Sequence, residues 1–70
     1  MTDARRASAA EVRAALARAG LNIASLARLT GTSHGYWSKR LTGALALSVD
    51  DLALVAEHTG VDIQSLVRAA

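Results

Sequence analysis

His34, Ser38 and Lys39 are the side chains whose types and spacing could recognise another molecule. They stand in the stretch His34-Gly35-Tyr36-Trp37-Ser38-Lys39-Arg40-Leu41. If that stretch is helical, all three share the outer face opposite Trp37. Lys39 can donate to guanine O6 and N7, and His34 can donate to or accept from a base edge. A solvated surface lysine and an idle first-turn histidine are the plainer readings of the same two residues. Catalytic chemistry has less to work with. Ser, His and Asp all occur, but nothing in their spacing suggests a triad, and 70 residues leave little room for a pocket. Asp50 and Asp51 are adjacent and would point apart on a helix. His58 suits the negative end of a helix and has no ligand set around it. The chain has no Cys, so it offers neither a disulfide framework nor a thiolate metal site. The expectation is a protein that is not an enzyme, with no catalytic residue, no metal and no small-molecule cofactor.

The elements that must position these residues are legible around them. Residues 23–42 read as two short helices joined by a tight turn at Gly31-Thr32-Ser33. Ala27 is small where the first helix must let the second cross closely. Gly31 follows the first helix, where a left-handed residue is needed, and Ser33 caps the second. Two helices meeting steeply through a turn of three or four residues form a helix-turn-helix unit. Trp37 faces the core rather than serving as a stacking platform, and Leu41 follows one turn later. Gly43 stops the helix.

Similar punctuation runs along the whole chain. Ser8, with Glu11 three residues later, predicts a capping box opening a first helix. Val12, Ala15, Leu16 and Ala19 form its inner face, and Gly20 ends it. Asn22 caps the second helix, Leu21 can staple onto Leu26, and Leu26, Ala27 and Thr30 face inward. Residues 44–47 read as a connection. Ser48 starts a fourth helix with Asp50 and Asp51 in the first turn, where the macrodipole favours acids. Its inner stripe is Val49, Leu52, Val55, Ala56 and Thr59, and Gly60 ends it. Val61 can staple onto Leu66, Asp62 caps a fifth helix, and Ile63, Leu66 and Val67 close the core. No strand pattern competes. The expected organisation is a flexible tail over residues 1–7 and one all-α domain over residues 8–70. Arg5 and Arg6 read as a phosphate-seeking arm or, preferably, as a solubilising tail.

Bulk properties agree with a small helical domain. Half the residues are apolar, with no Pro and no Phe, a composition that favours helix. A chain this short buries only about 60% of the surface it exposes when unfolded. No apolar run approaches the roughly 20 residues of a spanning helix, and the start does not read as a signal peptide. The expectation is therefore a soluble cytoplasmic protein with no membrane association. Net charge is +2 but lopsided: residues 1–43 carry +5 and residues 44–70 carry −3. A basic half that contains the helix pair suits a polyanion.

By its motifs the stretch Val12 to Val67 resembles the DNA-binding domains of the Cro/cI-type (XRE-like) repressor family. The resemblance lies in G-L-N-I-A-S-L-A-R-L-T-G-T-S, Y-W-S-K-R-L-T-G and S-V-D-D-L-A-L-V-A-E-H-T-G-V-D. It covers about four-fifths of the chain, and the last two segments look especially like short regulators of actinobacteria and their phages. The resemblance implies a five-helix lambda-repressor-like fold whose third helix reads the major groove of double-stranded DNA. It implies a transcriptional repressor at the nucleoid of a bacterial cell, with a phage immunity repressor as one form. On this basis His34, Gly35, Ser38 and Lys39 fall where the family reads bases. Asn22, Ser33, Tyr36 and Thr42 fall where it touches the DNA backbone. Arg28, on the outer face of helix two, is a further phosphate candidate. Gly35 reads either as close approach to the groove floor or as a tolerated flaw near a helix start. Ile23 stands where the family often has a bracing Gln, and Leu16 and Leu41 stand where it often pairs Arg with Glu. Arg40 occupies a position that is usually apolar; its expected partner is Asp50 or Asp51, with DNA phosphate as the alternative. Pairing on DNA is left between a homodimer, a further C-terminal domain and a monomer. The rival reading is a protein-interaction module, antitoxin-like or regulatory, with Ile23, Leu29 and Leu45 as exposed apolar contacts.

Overall fold

The computed structural model describes residues 4–69, and within them the chain is all-helical, with five helices and no strand. The helices are α1 (Ala4–Arg18), α2 (Ile23–Thr30), α3 (His34–Leu41), α4 (Val49–Thr59) and α5 (Ile63–Ala69). None of them is long and apolar enough to cross a membrane.

α1 corrects the expected tail. Ser8 does not cap it: the helix already includes residues 4–7, and Ser8 lies buried within it. Ala and Arg are strong helix formers, so nothing in Ala4-Arg5-Arg6-Ala7 breaks the helix. Arg5 also has a partner, its Nη1 donating to the Ala44 carbonyl at 3.1 Å. The first three residues of the expected tail lie outside the described residues, as does Ala70.

The other helix starts follow their caps. Asn22 Oδ1 accepts the Ser25 N–H at 2.8 Å, and Ser25 Oγ accepts the Asn22 N–H at 2.8 Å, a reciprocal box. Ser33 Oγ accepts the Tyr36 N–H at 3.1 Å. Ser48 Oγ accepts the Asp51 N–H at 3.0 Å while Asp51 Oδ2 accepts the Ser48 N–H at 2.9 Å. Asp62 Oδ1 accepts the Gln64 N–H at 2.9 Å ahead of α5. At the end of α2, Gly31 takes φ 68°, and the Thr32 N–H reaches back to the Ala27 carbonyl at 2.9 Å. That left-handed stop turns the chain into α3 within three residues.

One buried cluster draws on every helix: Val12, Ala15, Leu16, Leu26, Ala27, Trp37, Leu41, Leu52, Val55 and Leu66. α1 packs on α3, α4 and α5, and α2 packs on α3 and α4. Leu16 and Leu41 are both in the cluster, so apolar burial links α1 and α3 where a charged pair was the family-like alternative. Three expected core positions fall outside. Ala19 lies past the end of α1 and is exposed. Val49 is 66% exposed: α4 turns Asp51, Leu52 and Val55 inward, which places Val49 off that arc. Val67 is 44% exposed because Leu66, one residue earlier, takes the inward direction of α5. Ile23 is partly buried against the core rather than a free apolar contact.

The last four carbonyls of α3 are all satisfied. Ser38 O accepts from Thr42 N, Lys39 O from Leu45 N, and Arg40 O from Gly43 N. Leu41 O accepts from Arg13 Nη1 of α1. The guanidinium meets both an orphan carbonyl and the negative end of the helix. Arg13→Met should therefore lower unfolding free energy by about 1–2 kcal/mol, read as a shift of the urea midpoint. An unchanged midpoint would mean that water replaces the arginine without loss.

Candidate functional site

α3 divides its side chains by direction. Trp37 and Leu41 are buried, and Trp37 Nε1 donates to Thr30 Oγ1 of α2 at 3.0 Å. His34, Gly35, Lys39 and Thr42 are exposed, and Ser38 is half-buried. At 3.6 residues per turn these five positions fall within an arc of about 140°. The structure thus brings the four expected base-reading residues onto one face, with Thr42 at its end. His34 and Lys39 are separated by about 7.5 Å along the axis, roughly two base-pair steps.

The expected backbone-contact residues divide. Arg28 is exposed on α2. Asn22 and Ser33 are exposed helix caps; capping uses their acceptor oxygens and leaves the Asn22 amide N–H groups and the Ser33 O–H as donors. Thr42 Oγ1 donates to the Lys39 carbonyl at 3.1 Å. Tyr36 departs from its expected role. It is half-buried beside the core, and its O–H donates to Asp51 Oδ1 at 2.5 Å instead of standing ready for a phosphate. The two aromatic rings meet edge to face, with centroids 5.2 Å apart.

Arg40 finds the acid, and the acid is Asp51; Asp50 is exposed. Arg40 Nε lies 3.3 Å from Asp51 Oδ2, close enough for an ionic contact but off the line of a hydrogen bond. Its Nη1 donates to the Tyr36 carbonyl at 2.9 Å, and its guanidinium carbon sits 3.7 Å over the Tyr36 ring. The residue that sequence reasoning undervalued is Asp51, taken there as a dipole-favoured acid and one of two partners for Arg40. The Ser-x-x-Asp spacing of Ser48 and Asp51 was the available signal that its carboxylate turns back toward the helix start.

The hydrogen bond to Asp51 raises the pKa of Tyr36 above its ordinary value near 10, with burial adding to the effect and the Asp51 charge next. The bond requires the phenol to keep its proton. Because the folded pKa exceeds the unfolded one, its stabilisation is complete below pH 10 and is lost as pH rises through the folded value. Tyr36 is the only tyrosine. Its phenolate absorbance should therefore titrate in one step above pH 10 in the folded protein and near 10 in urea. Coincident midpoints would remove the Asp51 bond.

No family model, no curated protein and no solved structure matches this chain.

Proposed function

We propose that this chain is a sequence-specific double-stranded DNA-binding domain of a transcriptional repressor. In this reading α2 and α3 act as a helix-turn-helix within a lambda-repressor-like arrangement, and α3 enters the major groove. The observation that carries it is the exposed face of α3, with His34, Gly35, Ser38 and Lys39 outward while Trp37 and Leu41 anchor its other side. A helix fixed from beneath, with hydrogen-bonding side chains outermost, is what base-edge readout requires. Arg28, Asn22 and Ser33 supply the phosphate contacts that set register, whereas the Thr42 hydroxyl hydrogen is held by the Lys39 carbonyl. Tyr36 and Arg40 hold the helix instead.

Selection of bound duplexes from a random pool, followed by anisotropy titrations at several salt concentrations, tests the proposal. Affinity should fall steeply with salt as counterions are released. Lys39→Ala should lose about 1–3 kcal/mol on the selected site and stop discriminating at one base pair, while the fold is unchanged. Undiminished affinity and discrimination in that variant would remove Lys39 from the readout. The exposure of Leu29 and Leu45 favours a second reading, a module that docks on a protein partner. That reading expects no salt-dependent retention of DNA.

A further inference from the structure

We infer that Asp51, on α4 and outside the proposed reading face, is a positioning residue: through Tyr36 and Arg40 it fixes the roll of α3 and so sets how far cognate DNA is preferred over random DNA. The inference rests on the DNA-binding reading. Asp51 is 2% exposed, and both of its carboxylate oxygens are engaged. Oδ1 accepts the Tyr36 hydroxyl, while Oδ2 accepts the Ser48 N–H and lies against Arg40. The Ser48 contact ties the carboxylate to the first turn of its own helix. The other two contacts reach α3 at positions four residues apart, one helical turn. A single contact would leave α3 free to pivot, whereas two on one flank resist rotation about its axis.

The cap of α4 needs only one of the two carboxylate oxygens, the Oδ2 that accepts the Ser48 N–H; the links to Tyr36 and Arg40 are additional to it. Trp37 and Leu41 already seat α3 in the core. Apolar residues of similar size often pack as well as a buried ion pair, or better. What the polar arrangement adds is direction, because the hydrogen bond from Tyr36 to Asp51 is satisfied over a narrow range of orientations, and the ionic contact with Arg40 adds a second point of attachment one turn away. Tyr36 and Arg40 lie on the flank next to Lys39. A roll of about 20° moves an atom about 8 Å from the axis by nearly 3 Å, as much as a hydrogen-bond length. Asp51 also holds the charge of Arg40 against α4. Released, that guanidinium would attract phosphate on any sequence.

The test compares the wild-type chain with Tyr36→Phe and Asp51→Asn, using the duplex selected by the wild type and a scrambled duplex of equal length. Titrations are run at a temperature where circular dichroism shows each protein folded. Both variants should lose roughly tenfold in the ratio of cognate to scrambled affinity. Asp51→Asn should also bind scrambled DNA with a salt slope steeper by about one. A purely stabilising role would reduce the folded fraction and lower both affinities together, leaving the ratio unchanged. An unchanged ratio in both variants overturns the inference while the DNA-binding reading stands. If Asp51→Asn does not fold, Tyr36→Phe, which removes only the hydroxyl, decides alone. A wild type that selects no sequence overturns the functional reading, and this inference with it.

Discussion

Trp37→Ala should leave most molecules unfolded at 25 °C, with the helical circular-dichroism signal largely lost and no cooperative urea transition. Trp37 is fully buried and is the largest side chain in the core. Its removal forfeits burial and leaves a cavity among Leu26, Leu41 and their neighbours, a change that typically costs 3–5 kcal/mol. A chain of this size has a total stability of only several kcal/mol. The indole also closes a polar chain. Trp37 Nε1 donates to Thr30 Oγ1, which donates to the Leu26 carbonyl at 2.7 Å and meets Thr32 Oγ1 at 2.9 Å. Thr30 ends α2 and Thr32 lies within the turn to α3, so the loss falls where α3 is attached. Trp37→Phe should cost less, about 1–2 kcal/mol, because it keeps most of the apolar volume but not the N–H donor. If Trp37→Ala instead unfolds cooperatively within about 1 kcal/mol of wild type, the core is not organised around this residue.

The contrast between what could be read from the sequence and what could not follows the range of the interactions. Asn22, Ser33, Ser48 and Asp62 declare helix starts because a cap is a contact within three residues. Gly31 and Gly60 declare helix ends for the same reason, and both take positive φ. Trp37 and Leu41 declare the buried side of α3 by their spacing. Ser8 misleads because a capping pattern only marks a helix start where the preceding residues resist helix. Here Ala4-Arg5-Arg6-Ala7 does not resist it, and Ser8 is buried inside the longer helix. Val49 misleads because a carboxylate shares the inward arc of α4 with Leu52 and Val55. Asp51 turns inward toward Tyr36 and Arg40, and an apolar count of the stripe has no place for it.

Long-range polar contacts were the least legible part. Arg13 on the Leu41 carbonyl and Arg5 on the Ala44 carbonyl join positions 28 and 39 residues apart. Their existence depends on how α1 crosses α3, which local signals do not specify. The same contacts qualify the charge argument. Arg5, Arg13 and Arg40 belong to the basic half of the chain, yet each has an intramolecular partner. The electrostatic case for DNA therefore rests on fewer cations, with Arg28 and Lys39 the exposed ones nearest to the proposed groove contacts in sequence.

Gly35→Ala and Gly35→Leu should stabilise the fold and weaken DNA binding, and the opposite signs make this the sharper test of the reading face. Gly35 has an ordinary helical backbone, without the positive φ of the other glycines. A Cβ built there meets only Ser33 Oγ, at 4.0 Å, so the protein has room for a side chain. Glycine in a helix is less favourable than Ala or Leu by roughly 0.5–1 kcal/mol, toward the lower figure in a first turn. Among the described residues, no neighbour crowds the position that a side chain would take. A surface that must come close to another molecule would explain the missing side chain: between His34, Ser38 and Lys39, a bare backbone lets the groove floor approach. Gly35→Ala should therefore raise the urea midpoint slightly and reduce cognate affinity by about tenfold. Gly35→Leu should remain at least as stable as wild type and lose on the order of a hundredfold, through steric exclusion built into the face. Loss confined to the cognate duplex would place Gly35 at the bases, and equal loss on scrambled DNA would place it near the phosphates. Undiminished affinity in Gly35→Leu would move the DNA contact off this side of α3, since no duplex could come close over a leucine and leave its binding unchanged.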